Sequence, residues 1–74
     1  MNKVQVVLDT QTDVRDFVNI ANTIEEPVYL EDGTGFKVDA KSLLGVMYGT
    51  SEFKKLFVLS KNENLSNKFM KFIV

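Results

Sequence analysis

The sequence predicts an α+β fold: a two-layer open-faced sandwich in the order β-α-β-β-α-β-α, with a four-stranded antiparallel sheet and three helices on one face. Three observations lead there. Four short runs are apolar in alternation or throughout, three segments carry apolar residues at helical spacing, and a two-glycine turn joins the second and third runs. Elements that are apolar on one side must bury that side against each other, which gives a layer of helices over a sheet. The ferredoxin-like split arrangement shares much of this order and is the main competitor.

Val4, Val6 and Leu8 alternate with Lys3, Gln5 and Asp9, the pattern of a half-buried strand. Thr10-Gln11-Thr12-Asp13 has the Ser/Thr-x-x-acid form that opens a helix, with Thr12 an equally good cap. Asp13 and Asp16 then fall in the first turn, where the helix dipole favours anions. Val14, Phe17, Val18, Ala21 and Ile24 form one apolar stripe. Pro27, the only proline, is read as ending that helix and opening the next strand. Val28 and Leu30 alternate with Tyr29 and Glu31, and Asp32-Gly33-Thr34-Gly35 is a turn signal. Phe36 and Val38 continue the hairpin. A short helix is expected over Ser42–Met47, ending near Gly49. The fourth strand is expected over Phe53–Ser60. Asn62 or Asn64 then caps a last helix with the stripe Leu65, Phe69, Phe72 and Ile73.

Length and composition bound the function. A chain of 74 residues folds with about 4,600 Å² of surface and buries roughly 60% of what it exposes unfolded. That is one domain, 1–74, with one small core, and leaves no room for a large enclosed substrate cavity. There is no cysteine, so no disulfide framework or thiolate metal site, and no histidine, so no imidazole base, ligand or phosphoryl acceptor. No cofactor and no metal are expected. With no recognisable carboxylate dyad, the chain does not read as an enzyme. Met1-Asn2-Lys3-Val4 leads into alternation rather than an apolar run, so neither a signal peptide nor a membrane span is expected, and a cytoplasmic protein follows. Net charge is −1, with residues 1–40 acidic and residues 41–74 rich in lysine. A solvated lysine surface explains this more simply than an anionic partner, since a nucleic-acid site normally uses more than one arginine.

Val38-Asp39-Ala40-Lys41-Ser42-Leu43-Leu44-Gly45-Val46-Met47 resembles the most distinctive segment of the HPr family, the small histidine-containing phosphocarriers of the bacterial sugar phosphotransferase system. The usual family pattern there is close to Val-Asn-Ala-Lys-Ser-Ile-Leu-Gly-Ile-Met. The element order is similar over essentially the whole chain, and Phe17-Val18 matches an apolar pair in the family's first helix. The family's Gly-Leu-His-Ala-Arg-Pro signature is missing. Counting back from Phe17, its histidine falls on Thr10, its arginine on Thr12 and its proline on Asp13; a one-residue gap puts Gln11 at the histidine position instead. Arg15 lies nearby in another register. The degenerate acceptor loop is therefore Thr10, Gln11, Thr12 and Arg15, and its threonines are better read as helix caps. This pattern is similar to the histidine-less catabolite-repression branch of the family.

The resemblance makes Ser42 the surviving functional candidate. In many members the matching serine is phosphorylated by an ATP-dependent kinase, and the modified protein becomes a ligand for a transcription factor. A phosphate at a helix N-terminus meets unpaired N–H groups, and Lys41 adds a cation. A helix cap alone also explains a serine here. Leu43, Met47 and Tyr48, with Lys41, are the expected partner-binding residues; the competing reading puts Leu44 and Met47 in the core. The implied role is a regulatory or adaptor module whose partners are phosphotransferase-system components, a serine kinase or a transcriptional regulator. The alternatives are a phosphocarrier by descent with an unusual acceptor, or a small nucleic-acid-binding split βαβ module. Inward strand positions are expected to be Val4, Val6, Leu8, Val28, Leu30, Phe36 and Val38. Val7, Tyr29, Phe53, Phe57 and Leu59 are then left on the outer sheet face, a surface for a possible homo-oligomer.

Overall fold

A computed structural model of the chain describes residues 1–74. The strands are β1 (Asn2–Val6), β2 (Val28–Glu31), β3 (Lys37–Asp39) and β4 (Leu56–Ser60). The helices are α1 (Gln11–Ala21), α2 (Leu43–Glu52) and α3 (Leu65–Lys68), the last followed by a 3₁₀ turn, Met70–Phe72. The sheet order is β1-β4-β2-β3 and every neighbouring pair is antiparallel. The ferredoxin-like competitor would set the third strand between the first two. Here β4 takes that place and β3 lies at the edge. The accessible surface is 4641 Å².

Register shows how alternation becomes two faces. Val4, Val58, Leu30 and Val38 stand side by side across all four strands, an aliphatic row under the helices. The neighbouring rows are Lys3-Leu59-Tyr29-Asp39 and Gln5-Phe57-Glu31-Lys37, and they form the open face. The core is closed by Phe17, Val18 and Ala21 of α1, Val46 of α2, and Leu65, Phe69 and Phe72. The Phe17 ring lies 4.9 Å from that of Phe69 and 5.9 Å from that of Phe72. The Lys71 ammonium, 2.6 Å from Asp16 Oδ2, ties the C-terminal turn to α1, and that bond raises the Lys71 pKa.

Several boundaries differ from the sequence expectation. α1 stops at Ala21, six residues before Pro27; the proline opens β2 only, and Ile24 is buried from the connecting loop. Thr12 does not cap α1: it lies inside the helix, and Thr10 takes the cap position. Asp16 lies past the first turn, which contains Asp13 alone as an acid. α2 runs on to Glu52, because Gly49 is accommodated within the helix rather than ending it. β4 begins at Leu56, not Phe53. The terminal stripe breaks after one α-turn into a 3₁₀ turn, and Ile73 leaves the core to bridge Val6 at the edge of β1. Phe36 points outward, 54% exposed, because β3 pairs only from Lys37 onward.

The outer sheet face is also less apolar than expected. Lys3 Nζ sits 4.8 Å over the Phe57 ring and Lys37 Nζ 4.8 Å over the Tyr29 ring, while Leu59 is buried. Glu31 stands in the middle of this face, its carboxylate 2.8 Å from Lys3 Nζ. Phe53 is not on this face; its ring packs against Phe36 and Tyr48.

Candidate functional site

Ser42 is the N-cap of α2. Its φ of −98° and ψ of 119° are extended, and its Oγ accepts from Gly45 N–H at 3.1 Å, filling one of the helix's free donors. Its own N–H donates to Asp39 O at 3.2 Å. Asp39 Oδ1 in turn accepts from Lys41 N–H at 2.9 Å, so the end of β3 and the start of α2 form one rigid corner. The Asn22 side chain reinforces it from α1, donating to Val18 O at 2.9 Å and to Lys41 O at 3.1 Å. Ser42 itself is half-buried. Lys41 Nζ reaches Glu25 O at 3.5 Å.

α2 turns only Val46 and Gly49 into the protein. A side-chain carbon on Gly49 would lie 2.8 Å from Leu30 Cδ2 and 3.1 Å from Phe53 Cε2, so glycine is what lets the helix settle on β2. The remaining apolar residues of α2 face outward: Leu43 is 48% exposed, Leu44 78%, Met47 50% and Tyr48 50%. The reading that puts Leu44 and Met47 in the core is therefore wrong. A ten-residue helix resting on a sheet buries one narrow stripe, and Val46 with Gly49 fills it. Tyr48 meets Phe36 at 6.5 Å and Phe53 at 6.1 Å, and the latter two rings lie 5.7 Å apart, all edge to face.

At the start of α1, Thr10 Oγ1 accepts from Asp13 N–H and Asp13 Oδ2 accepts from Asp9 N–H, both at 3.0 Å. The positive end of that helix is thus already occupied by its own carboxylate. Beside it lies an open hollow of about 500 Å³ between α1 and α2. Its walls are Leu8, Asp9, Thr10, Gln11, Val14 and Arg15 on one side and Leu43, Met47 and Thr50 on the other. The fold therefore brings Thr10, Gln11 and Arg15 together with Leu43 and Met47. Thr12, Lys41, Ser42 and Tyr48 lie outside the hollow's wall. Sequence reasoning missed Leu44 and Phe36 as parts of the exposed surface, while Phe53, expected on the outer sheet face, is half-buried against Phe36 and Tyr48. The i, i+4 spacing of Leu44 and Tyr48 was a signal for the first of these.

No three Asp or Glu side chains converge closely enough to hold a metal ion, and no helix is long and apolar enough to cross a membrane. No family model matches the sequence, and no curated protein matches it. Among solved structures, the chain is similar to HPr-C-His from Thermoanaerobacter tengcongensis, with a TM-score of 0.74. The fold is HPr-like. The likeness covers 99% of this chain and 91% of that one at 20% sequence identity. It includes the four-stranded open sheet and the helices that carry Thr10 and Ser42.

Proposed function

We propose that this chain is an HPr-like regulatory or adaptor module, related to the phosphoenolpyruvate-dependent sugar phosphotransferase system, and not itself an enzyme. The observation that carries the reading is the pairing of Ser42 at the α2 N-cap with a bare apolar face on the same helix. Partner proteins dock on Leu43, Leu44, Met47 and Tyr48, and Lys41 borders that surface. Such a surface belongs to a binding protein rather than to a core, and its methionine adapts to more than one partner. The partners are phosphotransferase-system components, a serine kinase or a transcriptional regulator, in a bacterial cytoplasm.

Phosphate on Ser42 releases Gly45 N–H from the hydroxyl and offers it an anionic oxygen instead. The helix start is preserved and the charge beside the docking face changes. A histidine relay has no acceptor here, since the chain has no histidine. Thr10 is engaged as a cap, and Asp13 places a carboxylate where a second anion would be repelled. Nucleic acid is not the favoured partner: Lys3 and Lys37 lie on the aromatic rings that bases would stack upon, and Glu31 stands between them.

The test is incubation with an HPr serine kinase and ATP. Mass spectrometry is expected to find one added phosphate, absent in Ser42→Ala. No uptake by the wild-type chain rejects the phosphorylation part. Labelling from phosphoenolpyruvate and the family's histidine-directed kinase is expected to fail; incorporation there restores the phosphocarrier alternative.

A further inference from the structure

We propose that the outer face of α2 pairs two copies of this chain in a symmetric dimer, which closes the partner surface. The inference rests on the reading of that face as the recognition surface and adds a way of regulating it. Phe36, Leu43, Leu44, Met47 and Tyr48 form one continuous patch, linked by the i, i+4 pairs along α2 and, through the half-buried Phe53, by the three edge-to-face rings.

From their exposed fractions, Phe36, Leu43, Leu44, Met47 and Tyr48 present about 500 Å², a large patch for a monomer. Two such faces meeting bury at most about 1,000 Å², the size of a weak, reversible interface. The occupant is a second copy for two reasons beyond area. A net charge of −1 puts almost no repulsion between copies. The charged groups around the patch also carry both signs, Asp9 and Arg15 at the hollow and Glu52 and Lys54 at the end of α2, and none of them is in an ion pair within the chain. A two-fold axis set against the outer face of α2 therefore does not have to bring a wall of like charge together. The outer sheet face, with lysines over its rings and Glu31 at its centre, offers no comparable surface.

Sedimentation velocity between about 10 and 500 µM spans the range expected of so small an interface. The wild-type chain is expected to move from monomer to dimer across it. Leu44→Glu and Leu44→Lys, at a position 78% exposed and so free to change without unfolding, are expected to stay monomeric throughout. Val74→Glu, equally exposed at 77% but off the patch, is expected to dimerise as wild type does. A wild-type monomer at every concentration overturns the proposal. So does a dimer that both Leu44 variants retain, or association that continues past two copies. Phosphate uptake on Ser42 is read separately, so a monomer that still accepts phosphate overturns the dimer alone.

Discussion

At the scale of single residues, Ser42 is a helix cap and, as we propose, a phosphorylation site, and substitution distinguishes the two. As a cap it accepts one hydrogen bond from Gly45. Ser42→Ala is expected to lower stability by about 1 kcal/mol in urea unfolding, and Ser42→Asp, which keeps an acceptor, by much less. Both variants are expected to lose phosphate uptake, so stability and modification would move independently. Asp32 gives a second residue-level prediction. Its carboxylate accepts from the N–H and the hydroxyl of Thr34, both at 2.7 Å, and these bonds hold its pKa below the usual aspartate value. The folded chain therefore binds fewer protons here than the unfolded one. The stabilisation is fully present above the ordinary aspartate range and is lost as pH falls through the lowered value. Melting temperatures of wild type and Asp32→Asn are expected to differ at neutral pH and to converge in acid. A constant gap would show that the aspartate acts through something other than its charge.

At the scale of elements, α2 is where sequence and structure diverge most, for a physical reason. Leu43-Leu44-Gly45-Val46-Met47-Tyr48 is apolar on every side, so periodicity alone does not say which stripe is buried. Gly49 decides it through its approach to Leu30. Gly49→Ala is expected to push α2 off the sheet and lower stability by about 1–3 kcal/mol, the usual result of overfilling a packed contact. Amide exchange along α2 is expected to speed up with it; unchanged protection there would show that Leu30 and Phe53 simply move aside. Elements with a strict pattern were legible in advance. α1 shows its cap and stripe in Thr10, Phe17, Val18 and Ala21. The hairpin shows its turn in Gly33 and Gly35, whose φ values of 92° and 105° favour glycine. The end of α1 was not legible, because Ile24 keeps the helical spacing although it is buried from a loop. The start of β4 was hidden similarly: Phe53 extends the apolar run but belongs to the cluster with Phe36 and Tyr48.

At the scale of the molecule, the charge division along the chain is partly offset on folding. β4 inserts between β1 and β2, and the C-terminal turn lies on α1, so the lysine-rich half reaches the acidic half directly. Lys71 pairs with Asp16. Glu26 is held below the usual glutamate pKa first by a hydrogen bond from Asn62 and more weakly by Lys41 and Lys68. Lys71 thus serves a carboxylate of the acidic half directly and Lys41 and Lys68 act on one at longer range, while Lys54, Lys55 and Lys61 are in no ion pair. A division of labour also separates the core from the proposed recognition surface. Phe17, fully buried against Phe69 and Phe72, belongs to the core alone, and Leu44 to the surface alone. A chain of this length is stable by about 4–11 kcal/mol. Phe17→Ala, expected to remove about 3–5 kcal/mol, takes much or all of that, and circular dichroism should show a large drop in melting temperature or no folded state at room temperature. Leu44→Ala, at a residue 78% exposed, is expected to leave stability within about 0.5 kcal/mol while weakening both self-association and partner docking. Equal destabilisation by the two variants would mean that the outer face of α2 is structural after all, and that recognition must be sought elsewhere on the molecule.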